Sequence, residues 1–331
     1  MFGMSDYQLE KLSKPRILEN GRSAWATWES ERTSFGKTFR KLIRYPSFLP
    51  LFFSSDHYVD MLTSYRSNEA NPTYSIYFTW NEKKSEILRK VFDVDAYHVE
   101  HPWLHYRRRN FPVHSQSGTG TLIFWPHSHD NLKVSIDFNL VTRELSNLPS
   151  QYHPLAICVS SHDVKAGLHK KLRILGLPIY TAGNINSQQF VDRFYTLLDE
   201  FKYAGGFYLG SHIYYCQEYG VPYVALDYNI VEMESKANDG IPDGKFDFIA
   251  KDYPDPYQRS LFDTWYSSLK EYSETVSDEQ MEFAKINLGC YSTTSIRKIR
   301  LLVYRALIVN CYKIPRIYVH YLMNFMKRQR T

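Results

Sequence analysis

Gly210-Ser211-His212 interrupts the aromatic run Tyr203 to Leu209 and leads into a helical stretch, Ile213 to Tyr219, which Gly220 ends. A helix starting at Ser211 leaves its first amides unpaired and carries a partial positive charge there. A glycine before it lets an anion approach the backbone, so the unit is expected to seat a phosphate. The plainer reading makes Ser211 an N-cap and His212 a surface residue. Four more loops place polar residues after apolar runs. Ser54-Ser55-Asp56-His57 follows Phe48 to Phe53, and Trp125-Pro126-His127-Ser128-His129-Asp130-Asn131 follows Thr121 to Phe124. Ser160-Ser161-His162-Asp163 follows Leu155 to Val159, and Thr181-Ala182-Gly183-Asn184 follows Pro178 to Tyr180.

The groups able to move a proton are His127, Asp56, His57, His129 and Asp130. His127 and Asp56 come first because each directly follows a rigid apolar strand. Asp130 is placed to hold a neighbouring imidazole in one tautomer. The short spacing of His127, His129 and Asp130 lacks the regularity of a metal site, so no metal or cofactor is expected. Glu218, seven residues beyond Ser211, either contacts a ligand or lies on a solvated face. Tyr208 either stacks on a nucleobase or belongs to the core.

Strands alternating with helices must position these loops. The first half reads as strand Tyr74 to Thr79, helix Glu82 to Val91, strand Ala96 to Val99, strand Thr121 to Trp125 and a helix near Val134 to Leu145. A polar link, Ser146 to His153, separates it from the second half. That half reads as strand Leu155 to Ser160, helix Val164 to Leu175, strand Pro178 to Thr181, helix Gln188 to Phe201, the Gly210 unit, and strand Val221 to Asp227. The pattern predicts an α/β fold with two parallel sheets in domains 1–150 and 151–270, the loops facing a common cleft. Ala237 to Pro256 reads as an exposed loop, and the chain from Tyr257 onward as helical.

Composition sets further bounds. The chain has 331 residues, of which 44% are hydrophobic and 16% aromatic, as suits globular domains and not disorder. Its start, Met1 to Gly21, lacks the profile of a signal peptide, so a cytoplasmic location is expected. The four cysteines show no CxxC spacing and are expected to be reduced thiols. The net charge of +5 is unevenly distributed, with ten Lys or Arg and no Asp or Glu between Phe283 and Thr331. This helical, basic segment, 271–331, mixes cations with apolar residues and with tyrosines, Tyr304, Tyr312, Tyr318 and Tyr321 among them. It therefore fits an anionic membrane surface, at the inner face of the cytoplasmic membrane, as well as a packed helix with a solvated face. A nucleic-acid partner is the alternative for the same charge, but is not expected because the charge is confined to the tail.

Thr79-Trp80-Asn81-Glu82, His101-Pro102-Trp103-Leu104-His105-Tyr106, the Phe-Trp-Pro-His-Ser-His stretch ending at His129, Tyr180-Thr181-Ala182-Gly183-Asn184 and the run from Gly210-Ser211-His212 to Gly220-Val221-Pro222 together resemble bacterial glycosyltransferases of the GT-B type. The likeness is to those of surface polysaccharide, O-antigen or capsule assembly, and covers roughly residues 50 to 230. Ser55-Asp56-His57 adds to it. The chain departs from the pattern with Glu100-His101-Pro102 where Gly-Ala-Pro is expected, and with His127-Ser128-His129 where His-Ser-Thr is expected. The resemblance implies two Rossmann-like domains facing across a cleft and metal-independent sugar transfer from a nucleotide-sugar donor to a glycan or lipid-linked glycan. The donor would be held by Thr181, Gly183, Asn184, Tyr208, Gly210, Ser211, His212, Glu218, His162 and Asp163. An inverting transfer would use His127 or Asp56 as base, whereas a retaining one would leave them to bind acceptor hydroxyls. Transfer of a polyol phosphate from a CDP donor is the nearest alternative.

Overall fold

The computed structural model describes residues 3–14, 34–56, 59, 76–115, 117–127, 132–235, 256–315 and 319. His57, His129, Asp130 and the loop at 237–255 lie outside the described residues. In chain order the strands are β1 (Ser54–Ser55), β2 (Ile76–Thr79), β3 (Asp95–His98), β4 (Thr121–Phe124), β5 (Leu132–Ile136), β6 (Leu155–Cys158), β7 (Ile179–Tyr180), β8 (Tyr203–Gly206), β9 (Tyr223–Ala225) and β10 (Val231–Ser235). The helices are α1 (Asp6–Ser13), α2 (Phe35–Ile43), α3 (Glu82–Phe92), α4 (Pro102–Asn110), α5 (Phe138–Ser146), α6 (Ser161–Lys165), α7 (Leu168–Leu172), α8 (Phe190–Asp199), α9 (Ser211–Tyr219), α10 (Pro256–Ser268), α11 (Asp278–Asn287) and α12 (Ile296–Asn310).

Two parallel sheets carry the loops. The smaller has the order β1-β2-β3, and the larger β7-β6-β4-β8-β9. In the larger sheet Phe124 lies opposite Cys158 on one side and Gly206 on the other, so β4 is central. The chain builds outward from β4 through β6 to β7, then crosses to β8 and β9 on the other side. That reversal is the topological switch point of a Rossmann-like α/β sheet, and the place where such sheets form their ligand crevice is between the carboxyl ends of β4 and β8.

This order corrects the expected division at 150/151. β4, which precedes that boundary, pairs with β6 and β8, which both follow it, so the polar link Ser146 to His153 joins parts of one sheet and does not separate domains. The helix expected near Val134 to Leu145 is also divided. Leu132-Lys133-Val134-Ser135-Ile136 alternates with period two and pairs antiparallel with β10, and α5 starts only after Asp137, whose carboxylate accepts from the amides of Asn139 and Leu140. The helix expected from Val164 to Leu175 breaks at Gly167, which adopts φ +76°.

One hydrophobic core joins the two sheets, containing Phe39, Phe53, Phe78 and Trp80 together with Leu122, Phe124 and Ala204. Trp103 of α4 fastens them, with its ring 4.5 Å from Tyr215, 5.5 Å from Phe194 and 5.9 Å from Phe190. His101, fully buried, caps α4 by accepting from the Trp103 amide at Nδ1. Its Nε2 therefore carries the proton and donates to the Tyr215 hydroxyl, 3.0 Å away on α9. The basic C-terminal segment returns to the first sheet. Arg300 Nε donates to the Ile43 carbonyl at 2.7 Å, Tyr304 packs on Tyr45, and Lys298 lies over Tyr97.

Candidate functional site

Gly210 precedes α9 in extended backbone, and no side-chain oxygen caps this helix. The Ser211 hydroxyl instead accepts from the Val59 amide at 2.9 Å, tying the chain beyond β1 to the start of α9. An added Cβ at Gly210 would sit 2.9 Å from His212 Nδ1 and 3.0 Å from a Tyr208 ring carbon, so glycine permits both rings to close on the turn. Gly206 of β8 serves the same end. A Cβ at Gly206 would lie 2.6 Å from the Tyr223 hydroxyl, the group that meets His212 Nε2 at 3.0 Å.

Around this turn the switch-point side chains converge. Tyr208 packs 4.8 Å from His212 and 5.8 Å, edge to face, from His127, while His212 also lies 4.5 Å from Phe124. Burial pushes the Tyr208 phenol up, and Cys158 at the end of β6 and Asp163 of α6 push it further. Ser160 caps α6 by accepting from the Asp163 amide and donates to the Asp163 carboxylate at 2.7 Å. His162 lies beside it in α6, half-buried. Three strand ends thus supply a half-buried imidazole, a phenol, a carboxylate and the open end of a helix. Such a set can hold an anionic ligand and accept a proton from a hydroxyl beside it.

His212 is no cation. Burial and then the proximity of His127 bring its pKa down from 6.5 to about 3. Because the folded value is depressed, its contribution to stability is complete above pH 6.5 and is lost as pH falls toward 3. His98 and His101, also lowered by burial, act with the same sign. Urea denaturation of His212→Gln, which cannot titrate, should show a stability slope between about pH 6 and pH 4 smaller than wild type by up to about 1.4 kcal/mol per pH unit. An equal slope would mean that His212 is not the titrating group.

The remaining expected residues are engaged within the chain. Asp56 is 2% exposed, and its oxygens accept from the Tyr77 hydroxyl at 2.8 Å and the Thr79 hydroxyl at 2.6 Å. Lys84 pairs with it at 3.0 Å. Asp56 thus has its oxygens engaged by side chains of the smaller sheet and of α3. Glu218 is engaged within the fold, since Arg107 of α4 binds both of its oxygens and Arg108 lies 3.5 Å away. The loop after β7 seats α1. The Asn184 amide donates to the Leu12 carbonyl at 2.9 Å, and a Cβ at Gly183, whose φ is +84°, would lie 2.7 Å from that oxygen. The Thr181 hydroxyl accepts from the Gly183 amide, and the Asn184 side chain from the Asn186 amide.

Thr181 also lines a groove of about 420 Å³ beside Lys37, Asp192, Arg193 and Glu200. In that groove Lys37 is paired with Asp192, and Arg193 Nε donates to the Ala182 carbonyl. Two partners escaped sequence reasoning. Tyr223 left no signal, but Lys84 did, since a lysine in the first turn of a helix opposes the helix dipole unless a carboxylate faces it. Among the described residues no cluster of three metal-ligating side chains forms, and no helix is long and apolar enough to cross a membrane. Comparison of the chain with protein-family models, curated proteins and solved structures gave no match.

Proposed function

We propose that the chain transfers a sugar from a nucleotide-activated donor, with the donor diphosphate at Gly210 and the first amides of α9 and the reacting centre beside His127. The observation that carries this reading is the strand order, which places an uncapped helix N-terminus and His127 on neighbouring strands at the switch point. Fixed amide dipoles can stabilise the leaving diphosphate without a cation. A GT-B arrangement is part of the proposal. It is supported by the second parallel sheet, whose carboxyl-end segments meet α9 through Val59 and His101.

A thermal-shift screen of nucleoside diphosphates and nucleotide sugars tests it, since a ligand at 100 times its Kd stabilises by about 2.7 kcal/mol. One nucleotide class should raise the midpoint of wild type. Gly210→Val, whose side chain displaces Tyr208 and His212, should abolish the shift while staying folded. A stabilising CDP-polyol with no nucleotide-sugar response would favour phosphopolyol transfer. No shift with any nucleotide would count against both.

A further inference from the structure

We propose that the outward face of α12 docks on an anionic lipid bilayer. The inward face is fixed to the body by Ile299, Leu302, Val303 and Ala306, all buried. A helix packed on one side ordinarily turns a polar face to water. Here the outward face carries Leu301, Ile308 and, just beyond the helix end, Tyr312, which are 71%, 72% and 69% exposed. They recur at helical spacing, so they share one face. Exposed Arg297 and Arg305 lie among them. Arg305 stands 3.6 Å from Asp95 in a weak surface pair, and residues 283–331 contain no acid at all.

Charge and apolarity together select the occupant. A two-fold contact between two copies would set the same cations against each other with no carboxylate from this segment to relieve them. A nucleic acid would satisfy the cations but leave the aliphatic side chains in water. A bilayer with phosphate headgroups satisfies both, as Leu301 and Ile308 enter the acyl boundary, Tyr312 sits at headgroup level, and the arginines reach back to the phosphates. None of these residues belongs to the crevice, so the surface stands or falls separately from the nucleotide reading.

Flotation of the full chain with phosphatidylcholine vesicles, with and without phosphatidylglycerol, tests the proposal. The chain should float with the anionic vesicles and stay behind with the neutral ones. The pair Leu301→Asp with Ile308→Asp, and separately Arg297→Glu with Arg305→Glu, should each lower binding about tenfold or more while the thermal midpoint stays at the wild-type value. Failure to float with anionic vesicles would overturn the proposal. Flotation unchanged in both double variants would do so too, since it would place the contact elsewhere in the tail. Salt-sensitive retention on DNA without vesicle binding, or a dimer that the same variants dissociate without vesicle binding, would assign the face to another partner.

Discussion

Replacing Glu218 by alanine should cost about 3–5 kcal/mol of folding stability, among the largest losses expected from any single change in this chain. The substitution leaves Arg107, a residue 6% exposed, without its carboxylate between α4 and α9. Its remaining acceptors are the Pro112 carbonyl at 3.1 Å and the Phe111 carbonyl at 3.5 Å, both on its own segment. The pair itself contributes less than that loss implies. Burial pushes the Glu218 carboxyl above its ordinary range, and the opposing effects of Arg107 and Arg108 do not cancel it. The double variant Arg107→Met with Glu218→Met should therefore recover most of the loss, as apolar replacements of buried ion pairs do. Urea denaturation of Arg107→Met, Glu218→Met and the double variant measures the coupling. Additive losses would mean that the two side chains do not share one buried site.

His127→Ala should lower turnover by about 10²–10⁴-fold, the usual range for removal of a general base, with thermal midpoint and nucleotide affinity unchanged. His127 is half-buried at the end of β4 and packs edge to face on Tyr208, so truncation opens the crevice without removing a core side chain. The split between kcat and affinity carries the information. A loss in affinity with kcat unchanged would make His127 a binding group, and wild-type turnover would remove it from the mechanism.

Much of the larger sheet was legible in the sequence. The apolar runs ending in polar loops mark β4, β6, β7 and β8, and α9 spans Ser211–Tyr219 with Gly220 in left-handed backbone after it, φ +85°. The pairing of strands was not legible. Nothing local in Thr121-Leu122-Ile123-Phe124 says that its neighbours are the strands at 155 and 203 and not those at 76 and 95. The β5 strand was lost for a related reason, because its partner β10 lies nearly a hundred residues further on and the five-residue alternation runs directly into a helix.

The candidate site divides the same way. Gly210, Tyr208, His212, His127 and Asp163 come together because strand ends on one sheet edge must be neighbours. Asp56 and Glu218 have the types and positions of ligand-binding acids, but periodicity does not reveal the cations that face them from other elements, Lys84 and Arg107. In both cases the buried charge finds its partner within the fold, and this is the commoner fate of an acid among aromatic side chains.

The most direct measurement is a crystal structure of the chain with the nucleoside diphosphate that stabilises it most. The diphosphate should lie against Gly210 and the amides at the start of α9, within hydrogen-bonding reach of the backbone, with its nucleoside toward Tyr208 and the end of β6 and its free phosphate toward His127. A nucleotide bound instead in the groove beside Lys37 and Asp192, or an α9 terminus closed by the protein's own side chains in the presence of saturating nucleotide, would contradict that placement.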